Sequence, residues 1–196
     1  MRSILQEGNI GASLGRVVRD GLLLSVVFSA IIVGTALIDP WIMLENYPPA
    51  IRESVTPPDD LPMVLPIVIG VGMIVVLVWL MVRSIVALER ERGGHLAFGG
   101  AALHAWLLFQ VVNLWDVVIL DWLLFVTIQP TAFILPGTGG HPAYDDYLFH
   151  LKESYAHPVP WIGGLVGSLI VGGIATLVIR HRLFCTTPTP KCPEGR

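Results

Sequence analysis

Residues 96 to 130, LAFGGAALHAWLLFQVVNLWDVVILDWLLFVTIQP, are apolar over a membrane-crossing length yet carry His104, Gln110, Asn113, Asp116 and Asp121. Backbone in hydrocarbon finds no water to bond, so a run of this kind can be accommodated only as a helix. At 1.5 Å per residue the 33 residues from Leu96 to Ile128 reach about 50 Å, against a hydrocarbon core of about 30 Å. The helix must tilt, protrude, or break at Gly99-Gly100.

Three more stretches have the same character, and the predicted spans are residues 21–38, 61–82, 97–128 and 159–179. The composition agrees: 54% of residues are hydrophobic, 14% are charged, and the mean hydropathy is +0.70. The first run could be mistaken for a signal peptide. It is longer than a usual h-region, however, and Asp39-Pro40-Trp41 is a poor cleavage context, so an uncleaved span is expected. The expected fold class is an all-α membrane protein, one transmembrane domain of four helices with an additional short outer-loop helix.

Lys and Arg fix the expected orientation, because they are retained on the cytoplasmic side. Residues 1–20 hold three, 83–95 three and 180–196 four, whereas 39–61 and 129–158 hold one each. Both termini are thus predicted to be cytoplasmic, with residues 183–196 a flexible tail containing Cys185 and Cys192. The net charge of −3 and the lack of a basic face exclude nucleic acid as a partner. Residues 39–61 carry five acids and five prolines, which predicts an extended loop facing solvent, with Trp41 and Tyr47 at the interface. In the fourth span Gly164, Ser168, Gly172 and Thr176 recur every four residues. That small-residue ridge admits close approach of another helix, including one from a second copy or from a partner in a membrane complex.

On an α-helix turning about 100° per residue, Gln110, Asn113, Asp116 and Asp121 fall within about 140° of one another, whereas His104 lies opposite Asn113. An ionised carboxylate facing lipid costs about 2.5 to 3.5 kcal/mol, so the Asn113/Asp116 face is expected to look into the bundle. That face would handle a proton or a cation, or else fix the fold by hydrogen bonds to neighbouring helices. His104 is expected to be a satisfied packing histidine.

The loop after the third span contains ILPGTGGHP, a turn signal, and then AYDDYLFHLKESYAH between Pro142 and Pro158, which reads as a short helix. With Asp146 at zero, His150, Glu153 and His157 all lie within about 40° of it, and His141 is nearby in the turn. Imidazole and carboxylate groups at these spacings can converge on one ion, and zinc, copper or iron would suit the donors. The competing expectation is an amphipathic helix on the membrane surface, Tyr and Leu facing lipid and charges facing water.

NLWDVVILDWLLF at 113–125, QP at 129–130, PGTGG at 136–140 and YDDYLFH at 144–150 together resemble a group of small bacterial integral membrane proteins. Those proteins have four spans, an NLxDxxxLDWL third span and a PGT…DYxxH outer loop. The resemblance covers about forty residues and leaves the first two spans unmatched. It implies a multi-pass protein of the bacterial cytoplasmic membrane and points to Asn113, Asp116, Asp121 and His150. It implies no reaction, cofactor or partner. Where the group has an acidic residue after PGT this chain has Gly139, which argues against the turn as a source of ligands.

The expected function is an outward-facing polar site that binds a metal ion or handles a proton or small ligand. The alternatives are a structural or assembly subunit of a larger membrane complex, and a membrane-embedded enzyme.

Overall fold

The fold is known from a computed structural model that describes residues 2–59, 64–94 and 96–186, with side chains described for 13–59, 64–94 and 96–181. Among the described residues the chain is helical and contains no strand. Four long helices form the bundle: α1 (Arg2–Ile38), α2 (Val64–Glu91), α3 (Phe98–Trp115, continued by a π-helix over Asp116–Ile128) and α4 (Pro158–Thr186). Each contains a segment long and apolar enough to cross a membrane: Ser13–Ile38, Val64–Glu91, Phe98–Ile128 and Pro158–His181. The third has the lowest hydropathy, 1.9 against 2.2 to 2.8 for the others, as its polar residues require. Large apolar side chains such as Val26, Val68, Leu114 and Ile170 stand exposed on the outside of the bundle. That inside-out pattern suits lipid and not water.

The first helix starts earlier than the apolar run at 21–38. Its described charged residues are accommodated by pairing: Arg16 bonds Asp20 one turn on at 3.2 Å, and reaches across to both carboxylate oxygens of Glu91 on α2. α2 runs to Glu91 and ends on Gly93 and Gly94, both at positive φ, where the Gly94 amide caps the carbonyl of Glu89. α4 continues to Thr186, so the expected tail begins as helix. Residues 187–196, which include Cys192, lie outside the described residues, as does the side chain of Cys185.

α3 is the central element and packs most extensively on α4 and α1. Small residues make this possible. Ala101 and Ala105 of α3 meet Val171 and Ala175 of α4, with Ile85 of α2 closing the cluster. A Cβ on Gly172 would lie 2.8 Å from the backbone nitrogen of Ala102, and one on Gly164 would enter the Phe109 ring. The Gly164/Gly172 side of the fourth helix is therefore occupied within the chain, while Gly163 and Gly167 have open space beside them.

The end of the bundle that carries residues 39–59 and 129–157, here the loop end, has its own apolar core. Tyr47, Ile51, Phe125, Phe133, Leu135 and Tyr144 are buried together there. The extended loop expected over 39–61 is thus corrected. Asp39 caps a 3-10 helix over Pro40–Asn46, and a turn of α-helix follows over Pro49–Arg52. Two of the prolines thought to exclude helix stand at its first positions, where no amide donor is required. Tyr47, expected at the interface, is 2% exposed, and its hydroxyl donates to the carbonyl of Phe133 at 3.1 Å.

Candidate functional site

The change of winding at Asp116 organises the loop end. In an α-helix residues five apart are separated by about 140°. In a π-helix, whose hydrogen bonds run between i and i+5, they stand on one face, much as residues four apart do in an α-helix. Asp116 and Asp121 are such a pair, so π-winding brings the two carboxylates to one face of α3, and both line the same cavity. The segment ends at Gln129, which takes the left-handed conformation (φ 48°) and donates from its amide side chain to the Val126 carbonyl and to Asp145.

The return loop is fastened onto this segment. Trp122 donates its indole N–H to the carbonyl of Tyr147 at 3.0 Å, and the Tyr147 hydroxyl bonds Thr127 at 2.9 Å. Asp146 caps the turn that follows, accepting from the amides of Leu148 and Phe149 at 3.0 and 3.1 Å. That turn, Tyr147–Leu151, carries His150 back over the π-helix. There His150 Nδ1 lies 3.2 Å from Asp121 Oδ1, and the imidazole sits edge-on between Phe125 and Phe149, with ring centroids 5.0 and 5.1 Å away. His150 is 8% exposed, and its second nitrogen, Nε2, is buried with no protein partner. A carboxylate beside Nδ1 favours a ring proton on that nitrogen, which leaves Nε2 as the nitrogen without a protein partner.

This pair forms part of the wall of a cavity of about 430 Å³. Asp116 and Leu120 line it along α3, Phe28 and Ile32 of α1 form an apolar side, and Glu153 contributes from the return loop. The 3-10 and α turns of residues 40–52 supply Glu45 and Arg52, joined at 2.6 Å between Arg52 Nη1 and Glu45 Oε2. Arg52 Nε, like His150 Nε2, is buried without a partner.

The structure thus brings Asp116, Asp121, His150 and Glu153 to one cavity and leaves the other predicted site residues out of it. Asn113 lies near enough to the Tyr155 hydroxyl to act on its acidity, and neither it nor half-buried Gln110 is part of the cavity wall. Burial, with the Asp116 charge adding to it and Asn113 opposing it, raises the Tyr155 phenol above its ordinary range. Asp146 is a cap. His141 accepts from the Ala143 amide at 3.2 Å, and His157 from that of Val159 at 3.4 Å, so both punctuate turns.

The single helical stripe of Asp146, His150, Glu153 and His157 does not form, because residues 142–156 wind in three ways. They run as a 3-10 turn over Pro142–Asp145, an α-turn over Tyr147–Leu151 and a π-turn over Lys152–Ala156. Among the described residues no three His, Cys, Asp or Glu side chains are grouped so as to hold a metal ion, and the expected zinc, copper or iron set is not assembled.

Two groups of residues escaped the reading of the sequence. Glu45 and Arg52 lie far from the third span in sequence, and only the clue of a single basic residue among five acids marks Arg52. Toward the other end of the bundle Ser84 donates to Asp20 at 2.7 Å and lies 2.8 Å from His104 Nε2, a buried link among α1, α2 and α3. Ser84 uses its only proton on Asp20, so the imidazole N–H must supply the second bond. His104 is a satisfied packing histidine in this sense.

Chemically, a carboxylate-oriented imidazole with a free second nitrogen is a proton acceptor, and a further acid one π-turn below it extends the set of groups able to hold a proton. The chain matches no protein-family model, no curated protein and no solved structure.

Proposed function

We propose that this is a protein of the bacterial cytoplasmic membrane whose loop end faces outward, and whose cavity there binds a small ligand and exchanges a proton with it through His150 and Asp121. The distribution of Lys and Arg supports the orientation, and the resemblance of the third span and its following loop supports the bacterial setting. The observation that carries the site is the Asp121–His150 contact on the wall of a cavity that also contains Asp116. Proton handling is favoured over metal binding because three of the five candidate outer ligands, His141, Asp146 and His157, are spent on backbone amides.

The cavity has four acids, Glu45, Asp116, Asp121 and Glu153, against Arg52 and His150, so an amine is the natural first probe. Short primary amines titrated into the full chain in lipid nanodiscs, in buffers of different ionisation enthalpy, report both binding and the protons exchanged. The expected result is a heat that varies with buffer in the wild type and ceases to vary in His150→Gln. Equal heats in all buffers, or a buffer dependence untouched by that substitution, would refute the proposal.

A further inference from the structure

The cavity is not confined to the loop end. Phe28 lies ten residues inside Ile38 on α1, and Met73 nine residues inside Val64 on α2, and both belong to its wall. At 1.5 Å per residue these positions are about 15 Å and about 13 Å from the ends of their helices, roughly the mid-depth of a hydrocarbon core of about 30 Å.

The wall on that side is lightly packed. The buried residues of α2 are Ser84, Ile85, Val86, Leu88 and Glu89, all in its last third, and no residue from 64 to 83 is buried. The half of α2 that carries Met73 is therefore only half-buried against the bundle, through residues such as Leu65, Ile69 and Met73, whereas α1 and the π-helical part of α3 are tied together through the loop-end core. A wall closed only by a half-buried helix is where lipid chains come nearest to the apolar half of the cavity.

One cavity thus joins an acidic, partly buried polar end to an apolar end at bilayer depth. The buried imidazole nitrogen without a partner marks the polar end as a place for a ligand and not merely a cluster of acids. From this we infer that the ligand is a membrane amphiphile with a cationic amine head and a hydrocarbon chain. It enters between α1 and α2, seats its ammonium among Asp116, Asp121 and Glu153, and leaves its chain along Phe28, Ile32 and Met73. This inference rests on the cavity being a ligand site, as proposed above, and adds the class of ligand and its route.

The test uses the full chain in nanodiscs and a hexadecylamine probe carrying a photoactivatable diazirine in its chain, with labelled residues located by mass spectrometry. Labelling is expected to concentrate on Phe28, Ile32 and Met73, to be competed by hexadecylamine, and to resist hexadecyl sulfate at the same membrane mole fraction. Met73→Trp, which fills the gap, is expected to lower labelling at Phe28 about tenfold, the effect of about 1.4 kcal/mol. Val68→Trp, on the exposed lipid face of the same helix, should leave it in place. Labelling spread evenly over lipid-facing positions such as Val68 and Ile170, or insensitive to Met73→Trp, overturns the lateral route. Equal competition by the sulfate overturns the cationic head. If either happens while short amines still show His150-dependent proton exchange, the amphiphile is wrong and the ligand site stands; if that exchange is also absent, both fail.

Discussion

Replacing Gly172 by alanine adds one methyl group at the tightest point between α3 and α4. Its Cβ would sit 2.8 Å from the nitrogen and 2.9 Å from the Cα of Ala102, where ordinary contact begins at 3.4 Å. Both obstructing atoms are backbone, so no rotamer change relieves the clash, and the helices must separate by about 0.6 Å, the difference between 3.4 and 2.8 Å. A gap of that size forfeits a quarter or more of the dispersion energy of every contact across the seam, including Ala101 and Ala105 against Val171 and Ala175. Overpacking of this kind costs up to about 3 kcal/mol, and the gain from replacing glycine in a helix offsets about 1, for a net loss of about 2 kcal/mol. Gly167→Ala is the matched control. Nothing lies within 4 Å of its added methyl, so it should be neutral or stabilise by up to about 1 kcal/mol. Gly164→Ala should fall between them, since the Phe109 ring that it meets can turn aside. Unfolding of the full chain in mixed micelles by titration with sodium dodecyl sulfate, followed by circular dichroism, measures all three. If Gly172→Ala and Gly167→Ala agree within about 0.5 kcal/mol, the seam is not packed as described.

Tyr47→Phe removes a buried hydroxyl bonded to the Phe133 carbonyl and should cost about 1 to 2 kcal/mol by the same assay. Burial, reinforced by Tyr144 and Asp39, raises the Tyr47 phenol above its ordinary value, so the folded chain keeps a proton that the unfolded chain gives up. That contribution is complete below the unfolded value of about 10 and is lost as pH rises past it, so the wild type should lose more stability than Tyr47→Phe above pH 10. An identical alkaline decline in the two proteins would contradict the burial of this phenol. Asp146→Ala should cost about 1 kcal/mol through loss of the cap, while Asp146→Asn, which keeps an acceptor, should stay within a few tenths. Equal losses from the two would assign Asp146 a role that depends on its charge.

The four helices were legible because apolar length in a bilayer admits one solution. What the sequence left hidden was winding. A constant 100° per residue places Asp116 and Asp121 on one broad face, but their alignment comes from a π-helix that no periodicity signals. The same assumption placed Asp146, His150, Glu153 and His157 on one stripe, which three successive windings take apart. The loop-end core was equally hidden, because prolines that stop a long helix also start short ones, and Tyr47 and Ile51 gain partners only from Phe125, Phe133 and Tyr144, which lie far along the chain.

The link among Asp20, Ser84 and His104 has a consequence for how the chain is made. Asp20 is paired with Arg16 and Arg19 on its own helix, but its bond from Ser84, and the contact of Ser84 with His104, can form only between helices synthesised at different times. Asp20 leaves the ribosome 64 residues before Ser84, and Ser84 twenty before His104. The link that joins the first three helices is therefore complete only once the third has been made. The fourth helix carries no part of this link. It can join afterwards through the small residues that face Ala101 and Ala105, so that polar pairing governs the first stage of assembly and close packing the last.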